Sequence, residues 1–152
     1  MYYIGIDPGK DGAMSVLTDD QSALPDITYF EESSIVSALE PLKCHPCFCI
    51  LEHVGAMPKQ GSVSMFNFGV NFGFWQGVLT AFHIPYELMR PVKWKKEFSI
   101  TADKNTSILV CKRAFPGINL FRTPQCKKEH DGAAEASLMA LLARRKAGGA
   151  AK

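Results

Sequence analysis

The sequence predicts an α/β fold in which a five-stranded mixed sheet is flanked by helices. Short runs rich in aromatic and β-branched residues alternate with longer stretches whose apolar residues recur at helical spacing. Residues 47–52 are apolar almost throughout, as expected of a parallel strand that is covered on both faces. The first two runs are separated by the turn-forming residues Asp7-Pro8-Gly9, which predicts an antiparallel hairpin. A sheet that contains both kinds of pairing is mixed.

Five strands are predicted, and turn-forming residues bound most of them. The predicted strands cover residues 2–6, 13–17, 26–31, 47–52 and 85–89. The first three form a meander, because only short polar loops separate them. The first strand ends beside Asp7 and the fourth ends in Glu52, so two strands lead into a carboxylate.

Five helices are predicted from capping residues and apolar spacing. Their caps or first residues are Ser33, Ser62 or Ser64, Pro91, Thr101 or Asp103, and Glu129. The second and last helices are expected over residues 65–82 and 129–145. The predicted inward-facing residues are Ile35, Val36, Leu39 and Leu42 in the first helix, Ile108, Leu109, Cys111 and Ala114 in the fourth, and Ala134, Leu138, Leu141 and Leu142 in the last.

The composition fits one soluble globular domain. A chain of 152 residues can build one core but has little room for a second, so we expect a single domain over residues 1–146 and a flexible tail over residues 147–152. The first residues lack the basic start and long apolar run of a signal peptide, and no stretch approaches 18 apolar residues. A cytoplasmic protein is therefore expected.

The five cysteines favour reduced thiols over a disulfide framework, because their number is odd and their spacing irregular. The group Cys44, His45, Cys47 and Cys49 superficially suggests a zinc site. However, Cys47 and Cys49 alternate with Phe48 in a predicted strand. This alternation favours small buried side chains over zinc ligands.

The net charge is only +2, but the charges are unevenly distributed. Residues 1–58 carry two basic and nine acidic side chains, whereas residues 88–128 carry ten basic and two acidic ones. Four of these cations surround Trp94 within residues 90–96. Such a segment favours a polyanionic partner with Trp94 as a stacking side chain. The alternative is a solvated amphipathic turn whose tryptophan belongs to the core.

Four carboxylates are candidates for a metal site. Asp7 and Glu52 end two predicted strands, and the ends of a parallel pair lie at the same edge of a sheet. Asp131 and Glu135 are four residues apart at the start of a helix, so both project from one face. Each alone fits a turn or cap residue, but the coincidence of four favours a shared function. Hard divalent cations require such oxygen ligands.

The second predicted helix carries a glycine ridge, formed by Gly69, Gly73, Gly77 and Ala81 at every fourth position. Interior glycine costs a helix about 1 kcal/mol relative to alanine, so three of them indicate the close approach of another backbone. That backbone belongs either to the chain's own sheet or to the same helix of a second subunit. Aromatic residues around the ridge, including Phe66 and Phe68, are too many for one buried face.

Taken in order, these segments resemble the RuvC-type Holliday junction resolvases, and their bacteriophage relatives in particular. The resemblance rests on Ile4-Gly-Ile-Asp-Pro-Gly followed by Gly12, Leu51-Glu52, a loop rich in glycine and serine before a Phe/Gly helix, Pro91-x-x-Trp94-Lys-Lys, and His130-Asp131-Gly-x-Ala-Glu135-Ala. It extends from Met1 to about Ala143. It implies a ribonuclease H-like fold, a homodimer, and metal-dependent hydrolysis of four-way junctions and other branched DNA in the cytoplasm of a bacterial or phage-infected cell.

The resemblance also implies roles for individual positions. Asp7, Glu52, Asp131 and Glu135 match the catalytic, metal-binding acids, with two Mg²⁺ ions per active site and Mn²⁺ as a substitute. The family commonly places its last two acids three residues apart, whereas here the gap is four and His130 lies beside them. It is therefore open which of these three binds metal directly, and His130 is also a candidate for proton transfer. The expected DNA-binding cations are Lys59, Arg90, Lys93, Lys95, Lys96 and Lys104, and the candidate junction wedges are Phe66 and Phe68.

Two divalent cations suit phosphodiester hydrolysis, because they activate the attacking water and stabilise the leaving oxygen. The resemblance, with which this chemistry agrees, therefore implies a Mg²⁺-dependent, structure-selective endodeoxyribonuclease that makes paired cuts. One alternative is a non-catalytic protein that binds branched DNA on the same fold, which the intact carboxylates disfavour. A second is a phosphotransferase of the actin-like group, for whose two-lobed nucleotide cleft 152 residues are too few.

Overall fold

A five-stranded sheet organises the described part of this computed structural model, which comprises residues 1–53, 55, 61–101 and 103–149. The strands are β1 (Tyr2–Asp7), β2 (Ala13–Leu17), β3 (Asp26–Tyr29), β4 (Cys47–Glu52) and β5 (Tyr86–Met89). Their order across the sheet is β3-β2-β1-β4-β5. The pairs β1–β2 and β2–β3 are antiparallel, whereas β4 is parallel to both β1 and β5. The predicted mixed five-stranded sheet is confirmed.

Helices flank this sheet, as expected. Within the described residues they are α1 (Glu32–Leu39), a 3₁₀ helix (Glu40–Cys44), α2 (Ser62–Ala81), α3 (Pro91–Glu97), α4 (Lys104–Ala114) and α5 (Asp131–Gly149). Pro91 starts α3 as predicted, because its fixed φ suits the first helical position. The last helix continues four residues beyond its predicted end. No helix among the described residues is long and apolar enough to cross a membrane.

The predicted caps are wrong for α1 and α2, and one of the two predicted for α4 is confirmed. Glu31, and not Ser33, caps α1, because its carboxylate accepts hydrogen bonds from the backbone N–H groups of Ser33 and Ser34. The second helix begins at Ser62 after Gly61, whose extended backbone caps it without a side-chain hydrogen bond. Asp103 caps α4 as predicted, accepting from the backbone N–H of Asn105 at 2.9 Å.

The predicted inward faces are correct for α5 and partly wrong for α1 and α4. All four predicted residues of α5 are buried. In α4, Leu109 is 63% exposed and Ala114 is also exposed, because Cys111 and Ser107 occupy the buried face. In α1, Val36 is 37% exposed. A helix that covers only part of a sheet buries a narrower stripe than its apolar residues suggest.

The alternation of side chains along the strands divides the core into two layers. On β1, Ile4 and Ile6 point to the layer that contains Trp75 of α2, whereas Tyr3 points to the layer that contains α5. Successive strand residues point to opposite faces, so Asp7 follows Tyr3 and Gly5 toward α5. The same alternation on β4 places Ile50 and Glu52 on the α5 face.

Gly5 allows α5 to cross β1 at very short distance. A Cβ atom at this position would lie 2.1 Å from the carbonyl oxygen of Ala136 and 2.3 Å from the backbone nitrogen of Ala140. Only a glycine accommodates this approach. The crossing fixes the first turn of α5 beside the end of β1, and it thereby brings Asp131 near Asp7.

Candidate active site

An open cleft of about 460 Å³ lies where β1 ends and α5 begins. Its lining residues are Asp7, Gly9, Lys10, Asp11, Lys95, Asp131, Gly132 and Glu135. Three of the four predicted acids therefore share one cleft. Lys10 and Asp11, from the turn between β1 and β2, also line it and were not predicted as site residues. Their only sequence signal is their position directly after the Asp7-Pro8-Gly9 turn.

Asp7 is held in place by its own turn and by the start of α5. Its Oδ1 accepts a hydrogen bond from the backbone N–H of Gly9 at 3.0 Å. A Cβ atom at Gly132 would lie 2.5 Å from Oδ2 of Asp7. The helix can approach the carboxylate this closely only because its second residue is glycine. The first turn of α5 and the end of β1 thus form one structural unit.

Glu52 is buried behind the cleft at the end of β4, and its exposed fraction is 5%. Its Oε1 accepts a hydrogen bond from the indole Nε1 of Trp94 at 2.8 Å. Trp94 is fully buried, so the predicted stacking role for this side chain is wrong. The indole ring belongs to the core, and its buried N–H needs an acceptor, which Glu52 supplies.

Glu135 is held by two partners from two other helices. Its Oε1 accepts a hydrogen bond from the hydroxyl of Ser107 on α4 at 2.9 Å. The same oxygen lies 2.8 Å from Nζ of Lys95 on α3. Ser107 was not recognised from the sequence, although its position four residues before Cys111 places it on the buried face of α4.

The four carboxylates interact electrostatically, and two of them titrate far from their ordinary range. Burial raises the pKa of Asp7 to about 6; the Gly9 N–H opposes this, and the charges of Glu135 and Asp131 add to it. Burial also raises the pKa of Glu52 to about 7, with the charge of Asp7 acting in the same direction and the Trp94 hydrogen bond opposing it. This edge of the sheet is therefore a site of concentrated negative charge that favours cations.

The donor set fits Mg²⁺ or Mn²⁺ in its chemistry. All four side chains offer carboxylate oxygens, the ligands that hard divalent cations prefer. In the present arrangement, no three His, Cys, Asp or Glu side chains of the described residues already converge as a metal-binding group. Two of the acids are instead engaged by Trp94 and Lys95. The alternative zinc site is disfavoured, because Cys47 and Cys49 are buried in β4.

His130 precedes α5 and contributes to its first turn. Its Nδ1 accepts a hydrogen bond from the backbone N–H of Ala133 at 3.1 Å. Its ring lies 5.1 Å from the ring of Tyr29 in an edge-to-face arrangement. Because Nδ1 caps the helix, metal binding or proton transfer by His130 would use Nε2. Both roles stay predictions.

The predicted DNA-binding cations occupy different environments. Arg90, Lys93 and Lys96 are exposed at or on α3, and Lys93 lies 3.7 Å from a carboxylate oxygen of Glu87. Lys95 instead points into the carboxylate cleft. Two further predicted cations cannot be placed: Lys59 and the side chain of Lys104 lie outside the described residues.

The first half of α2 exposes apolar side chains and the glycine ridge. Val63 and Phe66 are 72% and 71% exposed, whereas Phe68 is partly buried and stacks on Phe72 with ring centroids 6.1 Å apart. Apart from the neighbouring residues and backbone of α2 itself, no atom of the described residues lies within 4 Å of a Cβ placed at the three ridge glycines. The alternative in which the ridge packs on its own sheet is therefore wrong for this part of the chain.

Comparison with known proteins identifies the fold. No family model and no curated protein match the sequence. The structure is similar to "T. thermophilus RuvC in complex with Holliday junction substrate", with a TM-score of 0.68 and 14% identity over 98% of this chain and 97% of that chain. It is also similar to a Thermus thermophilus RuvC structure, with a TM-score of 0.62 and 12% identity over 97% of each chain. The predicted ribonuclease H-like fold is thereby confirmed.

Proposed function

We propose that this protein is a divalent-metal-dependent endonuclease that resolves four-way DNA junctions, and other branched DNA, by paired phosphodiester hydrolysis. The observation that carries the proposal is that β1, β4 and α5 bring four carboxylates to one edge of the sheet, three of them in one cleft and Glu52 behind it. The similarity to a RuvC structure with a bound junction, over nearly all of both chains, supports the substrate class. We further propose that the chain is a single domain from the bacteriophage branch of these resolvases, acting in the cytoplasm of a bacterial or phage-infected cell.

The four acids would hold two Mg²⁺ ions, or Mn²⁺ in their place. The chemistry gained from two ions held there would be activation of the attacking water and stabilisation of the leaving oxygen. The chain itself supplies the positioning. The β1 turn orients Asp7, Trp94 orients Glu52, and Ser107 orients Glu135, so three of the four carboxylates are each held by a different part of the fold.

DNA contacts are proposed for the exposed cations around α3, namely Arg90, Lys93 and Lys96, together with Lys59 and Lys104. A second groove of about 560 Å³ runs between Lys10 and the start of α2. It shares Lys10 with the carboxylate cleft, so one strand of DNA can contact both. The proposed junction wedges are Phe66, which is exposed on the same helix, and Phe68, which lines this groove.

A homodimer is proposed through the glycine ridge of α2. The ridge is open, and exposed apolar side chains, Val63 and Val70, accompany it. Such a contiguous apolar surface is typical of an interaction site. A four-way junction has near two-fold symmetry, and a two-fold dimer presents two matched active sites to it.

The decisive experiment compares cleavage and binding of a labelled four-way junction, a flap and a linear duplex, with Mg²⁺ or with EDTA. Asp7→Asn, Glu52→Gln and Asp131→Asn should each lower cleavage at least about 100-fold, because loss of a ligand removes several kcal/mol of transition-state stabilisation. Junction binding in a gel-shift assay should remain nearly unchanged, since these residues are not phosphate contacts.

Asp26→Asn, an exposed position on β3, is the matched control and should cut at the wild-type rate. Wild-type rates in two of the three site variants would show that the site is wrong. Tight junction binding without cleavage by the wild-type protein would instead favour the non-catalytic alternative.

A further inference from the structure

Lys95 is placed differently from the other cations of its segment. Its side chain is 28% exposed, compared with 68% for Lys93, and it lines the carboxylate cleft. Its Nζ lies 2.8 Å from Oε1 of Glu135 and 5.2 Å from the centroid of the Trp94 ring. The short α3 helix therefore points one ammonium group inward while its neighbours face outward.

The contacts of consecutive residues on α3 explain this placement. Trp94 donates its indole N–H to Glu52, and Lys95 pairs with Glu135, so the helix engages one acid from β4 and one from α5. Oε1 of Glu135 also accepts the hydroxyl of Ser107. A carboxylate oxygen has two lone-pair directions, and here both are used. That oxygen cannot bind a cation until one of the two partners leaves.

The chemistry of the cluster shows why a lysine is needed. Four carboxylates at one edge repel one another, and the buried ones are expensive to keep charged without a counter-ion. The ammonium of lysine is a compact point charge on a flexible stem, so it can both neutralise the cluster and withdraw from it. Two lysines, Lys10 and Lys95, line the cleft with three of these acids, and Lys95 pairs directly with one of them, Glu135.

We propose that Lys95 is the internal counter-ion of the metal-free carboxylate cluster and competes with divalent cations for Glu135. This inference rests on the proposed metal-dependent function. It predicts that cation binding displaces the ammonium group from Glu135. The DNA contact expected of Lys95 is then available only in the cation-loaded protein, whereas Lys93 and Lys96 can contact phosphate at any time.

The test measures Mn²⁺ binding to the DNA-free protein by titration followed by EPR, and thermal unfolding in EDTA. Lys95→Met should bind Mn²⁺ about tenfold more tightly than the wild type, and its unfolding temperature in EDTA should be lower. Lys96→Met removes the same charge from the exposed face and should change the affinity less than about threefold. Lys95→Arg restores a cation and should return both properties toward the wild-type values.

The outcomes separate the two proposals. Equal Mn²⁺ affinity in Lys95→Met and Lys96→Met overturns the counter-ion role but leaves the metal-dependent function standing. No Mn²⁺ binding by the wild type or by Lys95→Met overturns the metal-dependent function, and the inference fails with it. If Lys95→Met is unfolded in EDTA, excess Ca²⁺ should restore its folded circular dichroism spectrum, and failure to do so also contradicts the counter-ion role.

Discussion

The two longest helices lie on opposite faces of the same sheet, and they are used differently. Helix α5 is buried from Gly132 to Arg144 and crosses β1 at backbone contact distance. Helix α2 is of similar length but buries only Trp75, Val78 and Leu79 near its end. Both are rich in small residues. In α5 those residues allow close packing within the chain, whereas in α2 the glycines face open space among the described residues.

This difference separates the part of the fold that holds the site from the part that is available to another molecule. The carboxylates of α5 need positions fixed to fractions of an ångström, and burial against β1 provides that rigidity. The exposed half of α2 contributes little to the chain's own core. Its apolar side chains and open ridge are explained more simply by a partner, which we propose to be a second copy.

The largest expected effect is at Gly5, where α5 touches the sheet. Gly5→Ala places a methyl group 2.1 Å from the carbonyl oxygen of Ala136, so the helix must shift. We expect a loss of about 3 kcal/mol in the free energy of unfolding, the upper end of overpacking effects. Urea unfolding measures it. Gly148→Ala, in open space on the same helix, is the control and should not destabilise the protein.

A smaller effect, on the stability of the dimer, is expected at the glycine ridge of α2, on the opposite face of the sheet from α5. Gly73→Leu adds a side chain where two copies of α2 are proposed to meet, and overpacking there should weaken the dimer by about 1–3 kcal/mol. The variant should shift toward monomer in analytical ultracentrifugation while staying folded, because no described atom lies within 4 Å of the added Cβ. Paired nicking of a junction should be lost before single-strand nicking.

Ser64→Leu, an exposed position on the opposite side of α2 from the ridge, is the matched control and should leave the association unchanged. A Gly73→Leu protein that dimerises as strongly as the wild type would move the interface elsewhere. An unfolded variant would show that the ridge packs within the chain after all.

The sequence was sufficient for the parts of the site that depend on strand alternation and helix period. A strand that ends in Asp7, a parallel strand that ends in Glu52, and a helix with acids four residues apart can be read directly from the chain. The identity of the fold and the sheet are confirmed. The roles of the acids stay predictions.

What the sequence could not provide depends on contacts between distant elements. The burial of Trp94 against Glu52, and the pairing of Glu135 with both Ser107 and Lys95, join segments 28 to 42 residues apart. Composition alone made Lys95 one of several surface cations. The orientation of the short α3 helix is needed to see that the Lys95 side chain points into the cleft. The openness of the ridge likewise depends on which side of α2 packs on the core, namely the side with Trp75, Val78 and Leu79.

The smallest predicted effect is the pH dependence of folding stability. It arises from Glu52, which lies on the α5 face of the sheet. The pKa of Glu52 is raised from 4.5 to about 7, first by burial and then by the charge of Asp7. Between these two pH values the folded protein holds a proton that the unfolded chain has already released. Stability in EDTA should therefore be greatest at low pH within this window, and it should fall as the pH rises through about 7.

Glu52→Gln removes this titration while keeping an oxygen that can accept the Trp94 hydrogen bond. We expect the variant and the wild type to have similar unfolding temperatures near pH 5, where Glu52 is protonated and resembles glutamine. Above pH 7 the variant should be the more stable, because it buries no charge beside Asp7. Glu97→Gln, exposed at the end of α3, serves as the control and should follow the wild-type curve. Parallel curves for wild type and Glu52→Gln from pH 5 to pH 8 would show that Glu52 does not titrate in this range, which would contradict a pKa raised to about 7.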